Sequence, residues 1–275
     1  MERRVSSRYP AVWVMLAVLA LFACLPETAN TAGPDPLSVT VLYDNIPFEK
    51  NLQTHWGFSC LVQKGSTRVL FDTGAQGETL LGNLKKLNVD LTPLDAIVFS
   101  HIHNDHTGGY SGLKAELVTD PPVYVLKSFP AEFKQQVKAI EVSDPIIFPD
   151  TDFRTTGEVP GQPVNEQALI VRTPRGLVVV TGCAHPGIVN LLRRATEVSG
   201  EKIHLVIGGF HLLQTPTAEV EQIVRQFRSL GVERVAPSHC TGEAAIGVFR
   251  KAYGTNFVES GVGKILQIDT SSTSN

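Results

Sequence analysis

The chain has 275 residues, 43% of them hydrophobic and 19% charged, with 24 basic against 27 acidic side chains. That length and apolar content suffice for one large or two small globular domains and exclude a disordered or fibrous polymer. A formal net charge of −3, with no basic tract beyond the first residues, excludes nucleic acid as the main ligand, because binding a phosphate backbone needs clustered Lys and Arg.

The first residues read differently from the rest. Arg3, Arg4 and Arg8 precede an uninterrupted apolar run from Ala11 to Leu25, and a polar stretch with Pro and Thr follows to Pro36. This is the order of an export signal, and the fifteen-residue run falls short of the roughly twenty needed to cross a bilayer. Leu21-Phe22-Ala23-Cys24 resembles a bacterial lipobox, which makes Cys24 a candidate for acylation; the alternative is that Cys24 is one more apolar residue of the run. The expectation is export to the bacterial cell envelope or periplasm, with membrane contact only through the signal or a lipid anchor. Without residues 1–23 the chain has 21 basic and 26 acidic side chains, net −5. Cys60, Cys183 and Cys240 then remain, as one disulfide plus a thiol or as three thiols.

Residues 37–270 are predicted to form the folded domain, with a polar tail at 271–275. Leu37 to Tyr43, Phe58 to Gln63 and Arg68 to Phe71 alternate as antiparallel strands, and Glu78 to Leu87 has helical spacing. Strands are expected at Ala96 to Phe99, Val123 to Leu126 and Ile146 to Phe148, with a helix from Pro130 to Ile140. A hairpin is predicted from Ala168 to Val180. Helices at Gly187 to Glu197, Glu219 to Leu230 and Ala244 to Ala252 then alternate with strands at His204 to Ile207, Val232 to Ala236 and Lys264 to Ile268. Residues 110–165 hold Tyr110, Phe129, Phe148 and Phe153, either as a substrate-selecting wall or as ordinary core aromatics.

The run SHIHNDHTGG at 100–109 leaves one of these strands and packs His101, His103, Asp105 and His106 into six residues. Imidazoles and a carboxylate so concentrated call for a divalent metal. Alternate residues of an extended segment point the same way, so His101 and His103 serve one ion, while Asp105 and His106 face another. His185 and His239, at other strand ends, complete two sets: His101, His103 and His185 on one metal, and Asp105, His106 and His239 on the second. Two zinc ions are expected, other divalent metals being alternative occupants. Asp72 is placed to fix a histidine tautomer or to act as a ligand itself. His211 follows two glycines and is a candidate to bind substrate, ligate metal or donate a proton; Asp105 and His211 are the candidate catalytic side chains. His55 and His204 read as packing or surface residues.

SHIHNDHTGG resembles the His-x-His-x-Asp-His signature of the metallo-β-lactamase superfamily. FDTG at 71–74, TGCAHPGIVN at 181–190, IGGFHL at 207–212 and PSHCTG at 237–242 are similar to the branch named for 7,8-dihydropterin-6-methyl-4-(β-D-ribofuranosyl)-aminobenzene-5′-phosphate synthase. The resemblance covers roughly residues 38–268 and implies an α/β fold, a four-layer αββα sandwich with its site between the sheet edges. Many dinuclear members have Thr-Gly-Asp where this chain has Thr181-Gly182-Cys183, so Cys183 is a candidate ligand or a neighbour of the ligands. The expected function is an exported zinc-dependent hydrolase using a metal-bound hydroxide on a small-molecule phosphoester or related ester or lactone. The alternatives are a β-lactam hydrolase, or a binding lipoprotein for a pterin-like or phosphorylated ligand without turnover.

Overall fold

The computed structural model describes residues 35–270, together with Met1. The chain divides into two units, 1–32 and 33–275. The expected signal, Cys24 and the 271–275 tail lie outside the described residues. Among the described residues no helix is long and apolar enough to cross a membrane.

In chain order the elements are strands β1 (Leu37–Tyr43), β2 (Ser59–Lys64) and β3 (Thr67–Phe71), helix α1 (Gly77–Leu87), strand β4 (Ala96–Val98), helices α2 (Asn104–Thr107) and α3 (Tyr110–Glu116), strand β5 (Val123–Leu126), helix α4 (Ala131–Val137), and strands β6 (Ile140–Val142) and β7 (Phe153–Thr155). The second half comprises strands β8 (Leu169–Thr173) and β9 (Gly176–Thr181), helix α5 (Ile188–Ser199), strand β10 (Ile203–Gly209), helix α6 (Thr217–Ser229), strand β11 (Arg234–Ser238), helix α7 (Glu243–Tyr253) and strand β12 (Ile265–Ile268). They build a seven-stranded sheet in the order β12-β1-β2-β3-β4-β5-β6 and a five-stranded sheet in the order β11-β10-β9-β8-β7.

Side-chain alternation assigns each residue to a layer. Val39, Val41, Val62, Val69 and Phe71 of the first sheet meet Leu169, Val171, Val178, Val180, Leu205 and Ile207 of the second in one core. The opposite parity of the second sheet, including Ile170, Val179 and Val206, packs under α5, α6 and α7. That of the first sheet, including Leu42, Leu70 and Ile97, packs under α1, α3 and α4. The result is the αββα sandwich. Every residue of β9 is buried, which is why LVVV runs apolar without alternation.

Two expectations are corrected. Ile146 to Phe148 forms only an isolated bridge, Ile147 to Arg154, and the strand lies at β7 instead. The helix predicted to Ile140 ends at Val137, where Lys138 takes φ 52°, and Ile140 opens β6. Tyr110, Phe129, Phe148 and Phe153 are all buried in the cores, which decides against the substrate-selecting wall.

Candidate metal centre

The site assembles where β3, β4, β9, β10 and β11 end, at the carboxyl ends of parallel neighbours. Four residues just past those ends, Asp72, Ala184, His211 and His239, hold positive φ of 57°, 71°, 55° and 49°. Such conformations are costly for residues other than glycine and collect at functional sites. Close packing also constrains the approach: a Cβ on Gly182 would sit 2.1 Å from Ser100 Oγ, so only glycine lets the end of β9 reach that loop.

Hydrogen bonds fix the ring orientations. Ser100 N and Oγ each donate to Asp72, at 2.7 Å. Because Ser100 Oγ gives its proton to Asp72, it can only accept from His101 Nδ1, 2.9 Å away. His106 Nδ1 donates to Asp72 Oδ2 at 2.7 Å, and His239 Nδ1 to Asn45 Oδ1 at 2.7 Å. Three imidazoles therefore carry their proton on Nδ1, turned to the protein, and present the Nε2 lone pair inward, the arrangement of metal-binding histidines. His101 Nε2 and both nitrogens of His185 are buried without a partner. Unpaired buried lone pairs are costly in an apolar interior and fit a cation.

The structure brings all six predicted ligands together, with Asp105 within reach both of His101 and His103 and of His106 and His239. The rings of His101, His103 and His185 lie 4.8 Å (101–103), 4.7 Å (101–185) and 4.7 Å (103–185) apart. Asp105 Oδ2 stands 3.5 Å from His106 Nε2 and 3.4 Å from His239 Nε2. Cys183 Sγ is 3.2 Å from His106 Nε2 and 3.3 Å from His239 Nε2, and it also groups with His101 and His185. Cys183 thus occupies the point between the two sets. Asp72, with both oxygens engaged by Ser100 and His106, stands behind the ligands and belongs to no ligand group. His211 is exposed, with its ring 4.3 Å from that of His185, and it groups with Cys183 and Cys240. His55 is exposed, and His204 is buried against Glu233. Cys60, Cys183 and Cys240 are free thiols.

The electrostatics divide the same way. Burial, with repulsion from His211 and His103, pushes His185 down to about 3. Burial and neighbouring imidazoles hold His101 well below its usual value, and burial lowers His103. This half offers neutral nitrogen donors. In the other half burial disfavours the charged His106, but Asp72 and Asp105 overcome it and raise His106 to about 10. Burial likewise opposes the charge on Asp105, yet when His106 Nε2 and His239 Nε2 carry protons in place of a metal, their hydrogen bonds hold its carboxyl below the carboxylate range. The pattern is a negative well that a proton or a divalent ion fills, and its nitrogen, oxygen and sulfur donors suit zinc.

Two residues were invisible in the sequence. Glu166 is fully buried and accepts backbone hydrogen bonds from Gly182, Cys183, Ala184 and His185 at 3.1, 2.8, 2.8 and 2.9 Å, shaping the turn that carries Cys183 and His185. Burial raises it to about 7. Asn45 orients His239 from a loop with no motif of its own. The signal that marks them is spatial, a buried polar side chain aimed at a ligand-bearing segment.

A family model described as the metallo-beta-lactamase superfamily matches residues 57–239. The 7,8-dihydropterin-6-methyl-4-(beta-D-ribofuranosyl)-aminobenzene-5′-phosphate synthase of Methanocaldococcus jannaschii is 29% identical, across 83% of this chain and 95% of its own. A solved structure of a metal-dependent hydrolase of the beta-lactamase superfamily is 30% identical with a TM-score of 0.68, over 84% of this chain and 99% of that one. YhfI of Bacillus subtilis, a metallo-beta-lactamase fold protein, is 19% identical with a TM-score of 0.59, over 84% and 100%, a likeness of fold.

Proposed function

Because the chain belongs to the metallo-beta-lactamase superfamily, we propose that it is a zinc-dependent hydrolase of a phosphoester or a related ester or lactone. The observation that carries the reading is the set of inward nitrogens, with His101 Nε2 and both nitrogens of His185 buried and unpartnered. His101, His103 and His185 would hold one ion, and Asp105, His106 and His239 the other. Divalent ions there supply Lewis acidity and lower the pKa of a water.

The side chains have distinct tasks. Asp72 and Asn45 hold His106 and His239 in the tautomer that leaves Nε2 free. Asp105 would ligate the second ion and orient a water by accepting its hydrogen bond. His211 is exposed beside His185, and hydrogen bonding to Cys240 raises its pKa, so it is placed to give a proton to the leaving group.

The test is the zinc-loaded full chain on a panel of phosphodiester, phosphomonoester, thioester and lactone substrates. Turnover of one class, reduced about a hundredfold or more by His106→Ala, is expected; no turnover of any class overturns the reading. Nitrocefin hydrolysis would favour the β-lactam alternative. The synthase name of the M. jannaschii relative favours a second reading, bond formation at the same metal centre. It would be recognised by a condensation product from two substrates that the chain hydrolyses neither singly nor together. Ligand retention without any reaction would indicate the binding role.

A further inference from the structure

Two clefts open beside the ligands, of about 420 and 460 Å³, and share Trp56 and Leu213 in their walls. The first reaches His239 and the second His211 and Cys240, so these two side chains stand at the mouth of the centre. Trp56 keeps 44% of its surface exposed and Leu213 55%. One side of the Trp56 ring is spoken for by the His239 ring, whose centroid is 4.8 Å away. The exposed remainder is a planar apolar surface directly adjoining a ligand, which suits a flat ring by stacking.

The charges around it select what that ring carries. Among the described residues lining either cleft Arg250 is the only lysine or arginine, and Glu259 engages it bidentately at 2.9 and 2.9 Å. Its guanidinium also lies 4.9 Å from the Phe257 ring. In the first cleft Glu243 shares the field of Arg250 with Glu259, two carboxylates to one guanidinium, and Glu219 in the second has no lysine or arginine among the described lining residues. In the second cleft Glu219 is set against His211, while the first therefore carries one carboxylate more than its cations, beside Trp56. An anionic substituent meets repulsion there, while a cationic one gains from the carboxylates and from the face of the indole.

We infer that Trp56, Leu213 and Glu243 form a subsite for a planar aromatic group bearing a positive or amino substituent, carried by the substrate next to the bond that is cleaved. In its reference to cleavage this rests on the hydrolase reading; the recognition itself does not.

The chain has two tryptophans, Trp13 and Trp56, so Trp13→Phe in the full chain makes the fluorescence a direct report on the subsite. The zinc-loaded protein is titrated with phenyltrimethylammonium, benzenesulfonate and ringless tetramethylammonium. Quenching by phenyltrimethylammonium is expected with a Kd about tenfold or more below that of either other probe. Glu243→Gln, an exposed change, should narrow the preference over benzenesulfonate about threefold, and Trp56→Leu should weaken phenyltrimethylammonium binding about tenfold by calorimetry. Equal affinity for the ring-bearing cation and anion, or for the cations with and without a ring, overturns the subsite, as does a preference unmoved by Glu243→Gln. Turnover of the ester panel separates the two ideas. Hydrolysis with no preference for cationic aryl over alkyl esters removes the subsite and leaves the hydrolase, whereas selective binding without turnover of any ester removes the hydrolase and leaves the subsite.

Discussion

Asp72 accepts three hydrogen bonds of 2.7 Å, from Ser100 N, Ser100 Oγ and His106 Nδ1, while its own backbone stays at φ 57°. One carboxylate thereby couples the end of β3 to both ends of the histidine run. Asp72→Asn keeps the shape but places an amide where a charged acceptor met His106, and such changes behind a ligand cost about 10- to 100-fold in metal affinity. Competition with a chromogenic chelator should show that loss for one ion per chain; unchanged affinity for both contradicts the role. Glu166→Gln is expected to be worse for the fold, because a glutamine oxygen can keep the three N–H groups held by Oε1 but its amide nitrogen then faces His185 N–H, which Oε2 accepted. The loss should be about 2 kcal/mol in denaturant unfolding, with the ion at His185 weakened as well. The histidines were legible because the motif concentrates them; Glu166 and Asn45 were not, since single polar residues in loops carry no periodicity and gain meaning only from distant neighbours.

At the scale of elements, the proposed ligands follow the ends of β4, β9 and β11, with β10 packed between the last two, and their spacing depends on glycines. A Cβ on Gly209 would meet Gly182 O at 2.4 Å and Cys240 Sγ at 2.7 Å, so Gly209→Ala must push β10 away from β9 at the site. Partial loss of metal and a lowered melting temperature are expected; a variant as stable and as well loaded as the native chain would contradict this packing. Away from the site, His204 of β10 is buried and bonds Glu233 at 2.9 Å. Burial holds His204 below its usual value despite Glu233. The unfolded chain therefore takes up a proton near pH 6.5 that the folded chain resists, so this residue lowers stability as pH falls below about 6.5 and is neutral above it. His204→Gln should flatten that part of the stability profile measured by urea unfolding. The long strands and amphipathic helices were readable because burial imposes a period on them. β6 and β7 have three residues each, too few for a period, and Lys138 at φ 52° cuts the helix that composition alone extends.

At the scale of the whole molecule, ligands contributed from 101–106, 185 and 239 join segments far apart in sequence, so metal binding stabilises the assembled sandwich and not the unfolded chain. Chelator treatment should lower the melting temperature, and zinc should restore it. Histidines bind metal only when neutral. His185 is down to about 3 and His101 and His103 are lowered, so the ion on that side should survive dialysis below the usual imidazole range. The ion that must displace a proton from His106, raised to about 10, should leave first as pH falls, and loss of both ions together would contradict this division. Export remains a proposal from residues 1–36, and mass spectrometry of the mature N-terminus tests it: an acylated Cys24 supports a lipid anchor, and an intact Met1 in envelope fractions contradicts processing. The fold class was legible because signature and strand pattern agree along most of the chain. The meeting point at Cys183 was not, since only the folded backbone shows its sulfur lying between both ligand sets.

The central claim is a two-ion centre divided between His101, His103 and His185 on one side and Asp105, His106 and His239 on the other. Elemental analysis of the purified full chain, with His185→Ala and His239→Ala alongside, addresses it most directly. The account predicts about two zinc ions per native chain and about one in each variant; a native chain that holds one zinc, absent from both variants, or a native chain that takes up none from excess zinc, would contradict it.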